Sequence, residues 1–170
     1  MRRGRMQDGE AQASSRSNEV PMNVNGTVAD ILAQKGSAVW SISPDSTVFE
    51  ALKVMAEKNV GALLVLSNGQ ILGLVSERDY ARKIALAGRH SSETPVRDII
   101  STHVVTVSPG TTIEECLKVL SAKRIRHLPV VDERGLVGVI SIGDLVNWII
   151  NTQSATIDQL QNFISGQYPG

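Results

Sequence analysis

Residues 43–84 read SPDSTVFEALKVMAEKNVGALLVLSNGQILGLVSERDYARKI, and residues 108–149 read SPGTTIEECLKVLSAKRIRHLPVVDERGLVGVISIGDLVNWI. The two stretches align without a gap and are identical at 14 of 42 positions. Upstream of them, VADI at 28–31 matches VRDI at 96–99. The chain is therefore mainly two copies of one unit of about 55 residues, which we expect to pack together because neither could bury its apolar surface alone.

Each copy begins with a short lead-in helix, predicted at 27–34 and at 95–101. A β-rich run follows at 39–42 (VWSI) and at 104–107 (VVTV), and then a helix with apolar residues at helical spacing. These helices have capping-box signals, Thr47 with Glu50 and Thr112 with Glu115.

Two nearly continuous apolar runs come next in each copy, joined by a polar turn. Such runs are typical of strands buried on both faces. A second helix is predicted after Ser76 and after Ser141, so each unit has the order β-α-β-β-α. The fold class is therefore α/β (α+β), with a further amphipathic helix at 156–164 near the C-terminus.

Composition excludes several classes of function. The chain has 17 basic and 17 acidic residues among 170, and this balance argues against a general nucleic-acid binder. No apolar run approaches the roughly 18–20 residues of a membrane span. A single cysteine, Cys116, excludes an internal disulfide, and the helical pattern around it predicts a buried packing residue. We expect a cytoplasmic protein without a metal or thiol centre.

Domain boundaries follow from the repeat. Residues 1–22 lack an apolar period and are expected to be disordered, because they cannot bury enough surface to offset their ordering entropy. The first repeat is assigned to 23–90, the second to 91–152, and the C-terminal helix and tail to 153–170.

A Gly-h-h-Ser-x-x-Asp pattern, in which h is apolar, occurs in both copies. It reads GLVSERD at 73–79 and GVISIGD at 138–144, and RIRHLPVVD lies at 124–132. Units with these markers resemble a tandem pair of cystathionine-β-synthase (CBS) domains, also called a Bateman module, over residues 27–150. The resemblance implies two pseudo-symmetric repeats with two clefts for adenine nucleotides: AMP first, with ATP, ADP, NAD or S-adenosylmethionine as alternatives. It also implies a homodimer.

The Ser-x-x-Asp pattern has two interpretations. Ser at the N-cap and Asp at N3 would stabilise any helix by roughly 1 kcal/mol. In a cleft, the same Asp would accept hydrogen bonds from the ribose 2′- and 3′-hydroxyls, while the helix N-terminus favours a phosphate. Its occurrence in both copies favours the second interpretation, and the two are compatible.

The resemblance also implies which residues form each site. The site holding Asp144 would contain Ser141, Thr27, Ile31, Val60, Gly61, Arg126 and His127, with Arg126 and His127 over the phosphates. The site holding Asp79 would contain Ser76, Arg78, Ile99 and Ile125, and Arg126 could also reach across to it.

The two predicted sites differ in quality. Pro95 stands where the first copy has Thr27, and uncharged Gly61 and Ala62 stand where the second copy has Arg126 and His127. The site holding Asp79 is therefore expected to be weaker, differently selective or empty, and the site holding Asp144 is expected to bind first.

Two further alternatives stay open. His127 could contact phosphate or simply make a hydrogen bond at the start of a strand. Tyr80 and Trp148 could anchor a dimer interface or pack into the core.

The predicted function is a regulatory module that binds an adenine nucleotide and acts on a separate effector protein. AMP should bind better than S-adenosylmethionine, because a guanidinium favours an anion over a sulfonium cation. The alternatives are a structural dimerisation module with vacant clefts and a nucleotide-processing enzyme, for which the sequence offers no nucleophile motif or P-loop.

Overall fold

The protein is described here by a computed structural model, which covers the backbone of residues 24–164 and the side chains of residues 24–154. The tail predicted to be disordered, 1–22, lies outside the described residues. Among the described residues, no helix combines the length and the apolar character that a membrane span needs.

The first repeat has its strands and main helix in the predicted order. Helix α1 spans Val28–Lys35 and strand β1 spans Ser41–Ile42; helix α2 (Val48–Lys58) follows, and then the hairpin of β2 (Ala62–Ser67) and β3 (Gln70–Ser76). Strand β1 runs parallel to β2, and β2 runs antiparallel to β3. The second helix is short: one α-helical turn, α3 (Glu77–Tyr80), continues into a π-helical segment, Ala81–Ala85.

The second repeat matches the first in its centre but not at its ends. Helix α4 spans Ile113–Lys123, and strands β4 (His127–Asp132) and β5 (Gly135–Ser141) form its hairpin. The predicted lead-in helix at 95–101 is a single 3₁₀ turn, Val96–Asp98, and Pro95 lies just before it. The strand predicted at 104–107 is reduced to one bridge, in which Val107 pairs in parallel with Val130.

The predicted C-terminal helix is not a separate element. Helix α5 runs without interruption over Ile142–Ile164, so the second helix of the repeat and the stretch 156–164 are one helix of 23 residues. No glycine or proline interrupts residues 144–164, which explains why a single helix spans the expected break.

Both predicted capping boxes form. Thr47 Oγ1 accepts a hydrogen bond from the Glu50 N–H at 3.1 Å, and the Glu50 carboxylate accepts one from the Thr47 N–H at 2.8 Å. Thr112 and Glu115 make the same reciprocal pair at 3.2 and 2.9 Å. Each box satisfies two backbone donors that the first turn would otherwise leave free.

The lead-in segments are exchanged between the repeats. Val28 and Ile31 of α1 are buried in the core of the second repeat, whereas Val96 and Ile99 are buried in the core of the first. Each core therefore contains apolar residues from both copies. The exchange ties the repeats together and brings each Ser-x-x-Asp turn next to the lead-in segment of the other copy.

The glycines of the two markers allow this close approach. A Cβ on Gly73 would lie 2.6 Å from the Ser101 carbonyl oxygen, and a Cβ on Gly138 would lie 2.7 Å from Leu32 Cδ2. Each hairpin also has a register shift next to its glycine. Tight packing and a bulge therefore both occur at these positions.

Candidate functional site

Two clefts lie between the repeats, one at each Ser-x-x-Asp turn. The Asp144 cleft has a volume of about 330 Å³ and is lined by Lys35, Trp40, Val60, Gly61, His127, Ser141 and Asp144, among others. The Asp79 cleft has a volume of about 420 Å³, and its lining includes Ser76, Arg78, Asp79, Ile125 and Arg126. Both volumes fall within the range of small-molecule sites.

Asp144 is held at the start of α5 by three donors. Its Oδ2 accepts hydrogen bonds from the Ser141 N–H at 2.7 Å, from Ser141 Oγ at 2.9 Å and from Lys35 Nζ at 2.6 Å. Burial raises the pKa of this carboxyl group, but the hydrogen bonds and charge of Lys35 and the donors of Ser141 outweigh burial and leave the pKa below its usual value. Asp144 is therefore an ionised acceptor at neutral pH.

Lys35 is a site residue that the sequence analysis missed. It ends α1, and its ammonium also donates to the Val139 carbonyl oxygen at 3.0 Å. Nothing in the local sequence distinguishes it from a solvated lysine at the end of an amphipathic helix. The alignment of the two lead-in segments, in which Val28 pairs with Val96, pairs Lys35 with His103. His103 lines the Asp79 cleft.

Trp40 is the second missed residue. Its side chain lines the Asp144 cleft and is 39% exposed, and Lys58 Nζ lies 4.4 Å from the centroid of its ring. Lys58 covers one face of the indole, so only the opposite face could stack on a purine base.

Asp79 has a richer set of partners. Its Oδ2 accepts hydrogen bonds from the Ser76 N–H at 3.0 Å and from Ser76 Oγ at 2.7 Å. Its Oδ1 lies 2.9 Å from Lys83 Nζ and accepts a hydrogen bond from Ser101 Oγ at 3.3 Å. Lys83 Nζ also donates to the Ile99 carbonyl oxygen at 2.6 Å, which joins the Ser-x-x-Asp turn to the lead-in of the second copy.

The structure divides the residues predicted for the Asp144 site. Val60, Gly61, His127, Ser141 and Asp144 line one cleft together.

Three other predicted residues, Thr27, Ile31 and Arg126, do not line the Asp144 cleft. Thr27 caps α1 and donates its hydroxyl to Asp30 at 2.8 Å. Ile31 is buried in the core of the second repeat. Arg126, which precedes β4, lies in the Asp79 cleft instead.

The Asp79 site is also corrected by the structure. Ser76, Arg78, Ile125 and Arg126 line it with Asp79, whereas the Ile99 side chain is buried in the core of the first repeat.

The Asp79 cleft is rich in positive charge, although Gly61 and Ala62, the first-copy equivalents of Arg126 and His127, are uncharged as the sequence indicates. Five cationic side chains from the two repeats line this cleft: Arg78, Arg82, Lys83, Arg124 and Arg126.

His127 lies between the two clefts and lines both of them. Its ring is close to Gly61, whose added Cβ would lie 3.9 Å from the imidazole Cε1 and Nε2 atoms. Burial lowers the pKa of His127, the positive charges of Lys35 and Arg126 lower it further, and Asp144 only partly opposes them. The imidazole is therefore neutral at pH 7.

Trp148 and Tyr80 pack within the chain. The Trp148 indole donates to the Asn25 carbonyl oxygen at 2.9 Å and packs against the core of the second repeat. Tyr80 packs against the core of the first repeat. Among residues 24–154, no three His, Cys, Asp or Glu side chains lie close enough together to hold a metal ion.

This fold, with a Ser-x-x-Asp turn at each of two clefts, defines a protein built from a pair of CBS domains. The CBS-domain family model matches residues 28–86 and 96–151, so the chain belongs to this family.

Relatives of this chain include other proteins with CBS domains. The mitochondrial CBS domain-containing protein CBSX3 of Arabidopsis thaliana is 36% identical over 152 residues, which cover 84% of this chain and 73% of the relative. The structure of a putative signal-transduction protein with CBS domains from Burkholderia ambifaria is 44% identical, with a TM-score of 0.73, and the match covers 75% of this chain and 96% of that one. A hexameric CBS-CP12 protein from bloom-forming cyanobacteria is 27% identical, with a TM-score of 0.64 and coverage of 72% and 70%.

Proposed function

We propose that this protein binds adenine nucleotides in its two inter-repeat clefts and transmits their occupancy to a separate effector protein. The observation that carries the proposal is that each repeat places an ionisable carboxylate, Asp79 or Asp144, on a cleft wall beside a cation. AMP is the first ligand to test. ATP, ADP, NAD and S-adenosylmethionine share the same adenosyl group and are the alternatives.

The carboxylates suit the sugar of a nucleotide. A ribose presents two neighbouring hydroxyl donors, and a carboxylate has acceptor sites for both. In the Asp144 cleft the ribose would compete with Lys35, which now occupies Oδ2, and the freed ammonium would then be available to a phosphate. Trp40 supplies a stacking face for the base in the same cleft.

The position of Arg126 changes which cleft favours an anion. The expectation that AMP binds better than S-adenosylmethionine depended on a guanidinium above the ligand, and Arg126 lines the Asp79 cleft. We therefore expect the preference for AMP over S-adenosylmethionine to arise mainly in the Asp79 cleft. Lys35 is the cation of the Asp144 cleft.

Occupancy can act on a partner through linkage. A ligand present at 100 times its dissociation constant stabilises the bound state by about 2.7 kcal/mol, which is enough to shift a two-state interface.

A second copy of the chain is the proposed structural partner. Ile142, Val146 and Ile150 recur once per turn on α5 and are 37%, 43% and 55% exposed, so they offer an apolar stripe for a homodimer.

Calorimetry with the full chain tests the proposal. AMP, ATP, NAD and S-adenosylmethionine are titrated into the wild type and into Asp79→Asn, Asp144→Asn and the double variant. Each single variant should lose one site or weaken it tenfold or more, because Asn replaces one carboxylate oxygen with an NH2 donor and can no longer offer an acceptor oxygen to each ribose hydroxyl. Asp45→Asn, an exposed carboxylate in an ion pair with Arg97, is the matched control and should bind like the wild type.

Three outcomes would overturn the proposal. Unchanged affinity in the double variant would remove the carboxylates from the site. No binding of any of the four ligands to the wild type would favour a dimerisation module with vacant clefts. Turnover of the nucleotide would favour an enzyme.

A further inference from the structure

The two clefts differ sharply in charge. Five cationic side chains line the Asp79 cleft against two carboxylates, Glu77 and Asp79, so three positive charges are in excess. In the Asp144 cleft, Lys35 faces Asp144, and the lining carries no excess charge while His127 is neutral.

Within the described residues, the arginines of the Asp79 cleft are not neutralised by carboxylates. Lys83 is paired with Asp79, and Arg78 donates to the Arg124 carbonyl oxygen at 3.4 Å. Among the side chains of residues 24–154, none of the four arginines forms an ion pair with a carboxylate. Guanidinium groups that share one cleft repel one another, and an anion placed among them removes that repulsion.

The arginines come from both repeats. Arg78 and Arg82 follow β3 in the first copy, whereas Arg124 and Arg126 lie between α4 and β4 in the second. Arg124 ends α4 in the left-handed conformation, at φ 54°, and its counterpart Asn59 at φ 52° ends α2. An anion held between the two pairs would join the copies across the cleft.

Each of these arginines is replaced by an uncharged residue at the equivalent position of the other copy. The counterparts of Arg78, Arg82, Arg124 and Arg126 are, in that order, Gly143, Asn147, Asn59 and Gly61. The fold therefore does not require a cation at these positions, and the charge belongs to one cleft alone among the two described here.

We propose that the two clefts take different classes of ligand. The Asp79 cleft takes a nucleotide with two or three phosphates, whose polyphosphate chain lies between arginines of both repeats. The Asp144 cleft takes a nucleoside group with at most one phosphate. The adenosine part of this assignment rests on the proposed function, whereas the polyphosphate part rests on the arginines.

The test compares ligands that differ only in phosphate number. Adenosine, AMP, ADP, ATP and inorganic tripolyphosphate are titrated into the full chain at two salt concentrations. In the Asp79 cleft ATP should bind tenfold or more tightly than AMP, tripolyphosphate should compete with ATP, and the preference should decline with salt. Adenosine should bind with little dependence on salt, because it carries no phosphate.

Variants distinguish binding by the arginine guanidinium groups from binding by positive charge alone. The double variant Arg124→Gln/Arg126→Gln should reduce the preference for ATP over AMP to threefold or less, and Arg124→Lys/Arg126→Lys should restore part of it. Both arginines are exposed, so the melting temperature should stay near that of the wild type. Arg134→Gln is the matched control, because Arg134 is exposed, pairs with Asp132 and lines neither cleft.

The outcomes distinguish this inference from the proposed function. Equal affinity for AMP and ATP, or a preference for ATP that survives in the Gln double variant, overturns the inference. Binding of adenosine and AMP without binding of tripolyphosphate also overturns it and leaves the proposed function standing. If tripolyphosphate binds and none of the adenine compounds binds, the assignment of the phosphates to the arginines is supported and the proposed function is overturned.

Discussion

Replacing Gly73 with alanine tests the close packing that shapes the Asp79 cleft. A Cβ at this position would lie 2.6 Å from the Ser101 carbonyl oxygen. Ser101 exchanges two backbone hydrogen bonds with Leu74, at 2.9 and 3.1 Å, so its carbonyl cannot withdraw without weakening that pairing. Ser101 Oγ also donates to Asp79, so the same shift moves a residue of the site.

The expected cost follows from these contacts. Non-bonded heavy atoms normally meet at about 3.5 Å, so the Ser101 backbone must move by about 1 Å. Overpacking of this kind costs about 1–3 kcal/mol, and a weakened backbone hydrogen bond adds about 1 kcal/mol. We expect the free energy of unfolding to fall by about 2–4 kcal/mol and the melting temperature to fall by roughly 4–16 °C.

Gly138→Ala is the matched control at the equivalent position of the second copy. The new methyl group would meet Leu32 Cδ2 at 2.7 Å and Cδ1 at 3.0 Å, and these atoms are the far end of a flexible side chain. A rotation of Leu32 should limit the cost to about 1 kcal/mol. The assay is urea unfolding followed by circular dichroism, together with thermal melting. The reasoning is refuted if Gly73→Ala is as stable as Gly138→Ala.

Three other predictions concern stability and reactivity. Cys116 is fully buried, and burial together with the Glu115 charge raises the pKa of its thiol to about 11. A thiol reagent should therefore label the unfolded chain roughly 100-fold faster than the folded chain. Rapid labelling of the folded chain would contradict this. Thr112→Ala should cost about 1 kcal/mol in urea unfolding and Thr112→Ser much less, because only the hydroxyl caps α4; equal costs would refute the capping role. Folding lowers the pKa of His127, so its contribution to stability should be complete above pH 6.5 and decline as the pH falls from there towards the pKa of the folded state. His127→Gln should reduce this decline. An identical pH profile in the variant would exclude His127 as the cause.

Local chemistry explains how much of the fold could be predicted from the sequence. The capping boxes at Thr47 and Thr112 depend on residues three positions apart, and the β2–β3 and β4–β5 hairpins depend on neighbouring strands. Each of these patterns occurs in both copies, which a chance match in a single copy would not explain. Ends of elements were harder to predict: the run at 104–107 has β-propensity but makes a single bridge, and α5 continues where a break was expected.

The acidic turns were predicted from residues close in sequence, whereas the distant residues of the Asp144 cleft, Val60 and Gly61, were predicted from the family resemblance. Ser76 with Asp79, and Ser141 with Asp144, lie three residues apart and were found as pairs. Lys35 could not be assigned, because it lies 109 residues from the Asp144 carboxylate that it contacts.

By itself, the sequence determined the duplicated α/β fold, the helix starts and the two acidic turns, because each depends on residues within one repeat. Only the tertiary structure decided which charges face which turn. Exchange of the lead-in segments buries Ile31 and Ile99, brings Lys35 to Asp144 and leaves Arg126 on the side of Asp79. A cleft between two packed copies is lined from both, so its charge is set by the packing of the copies and not by the alignment of one on the other.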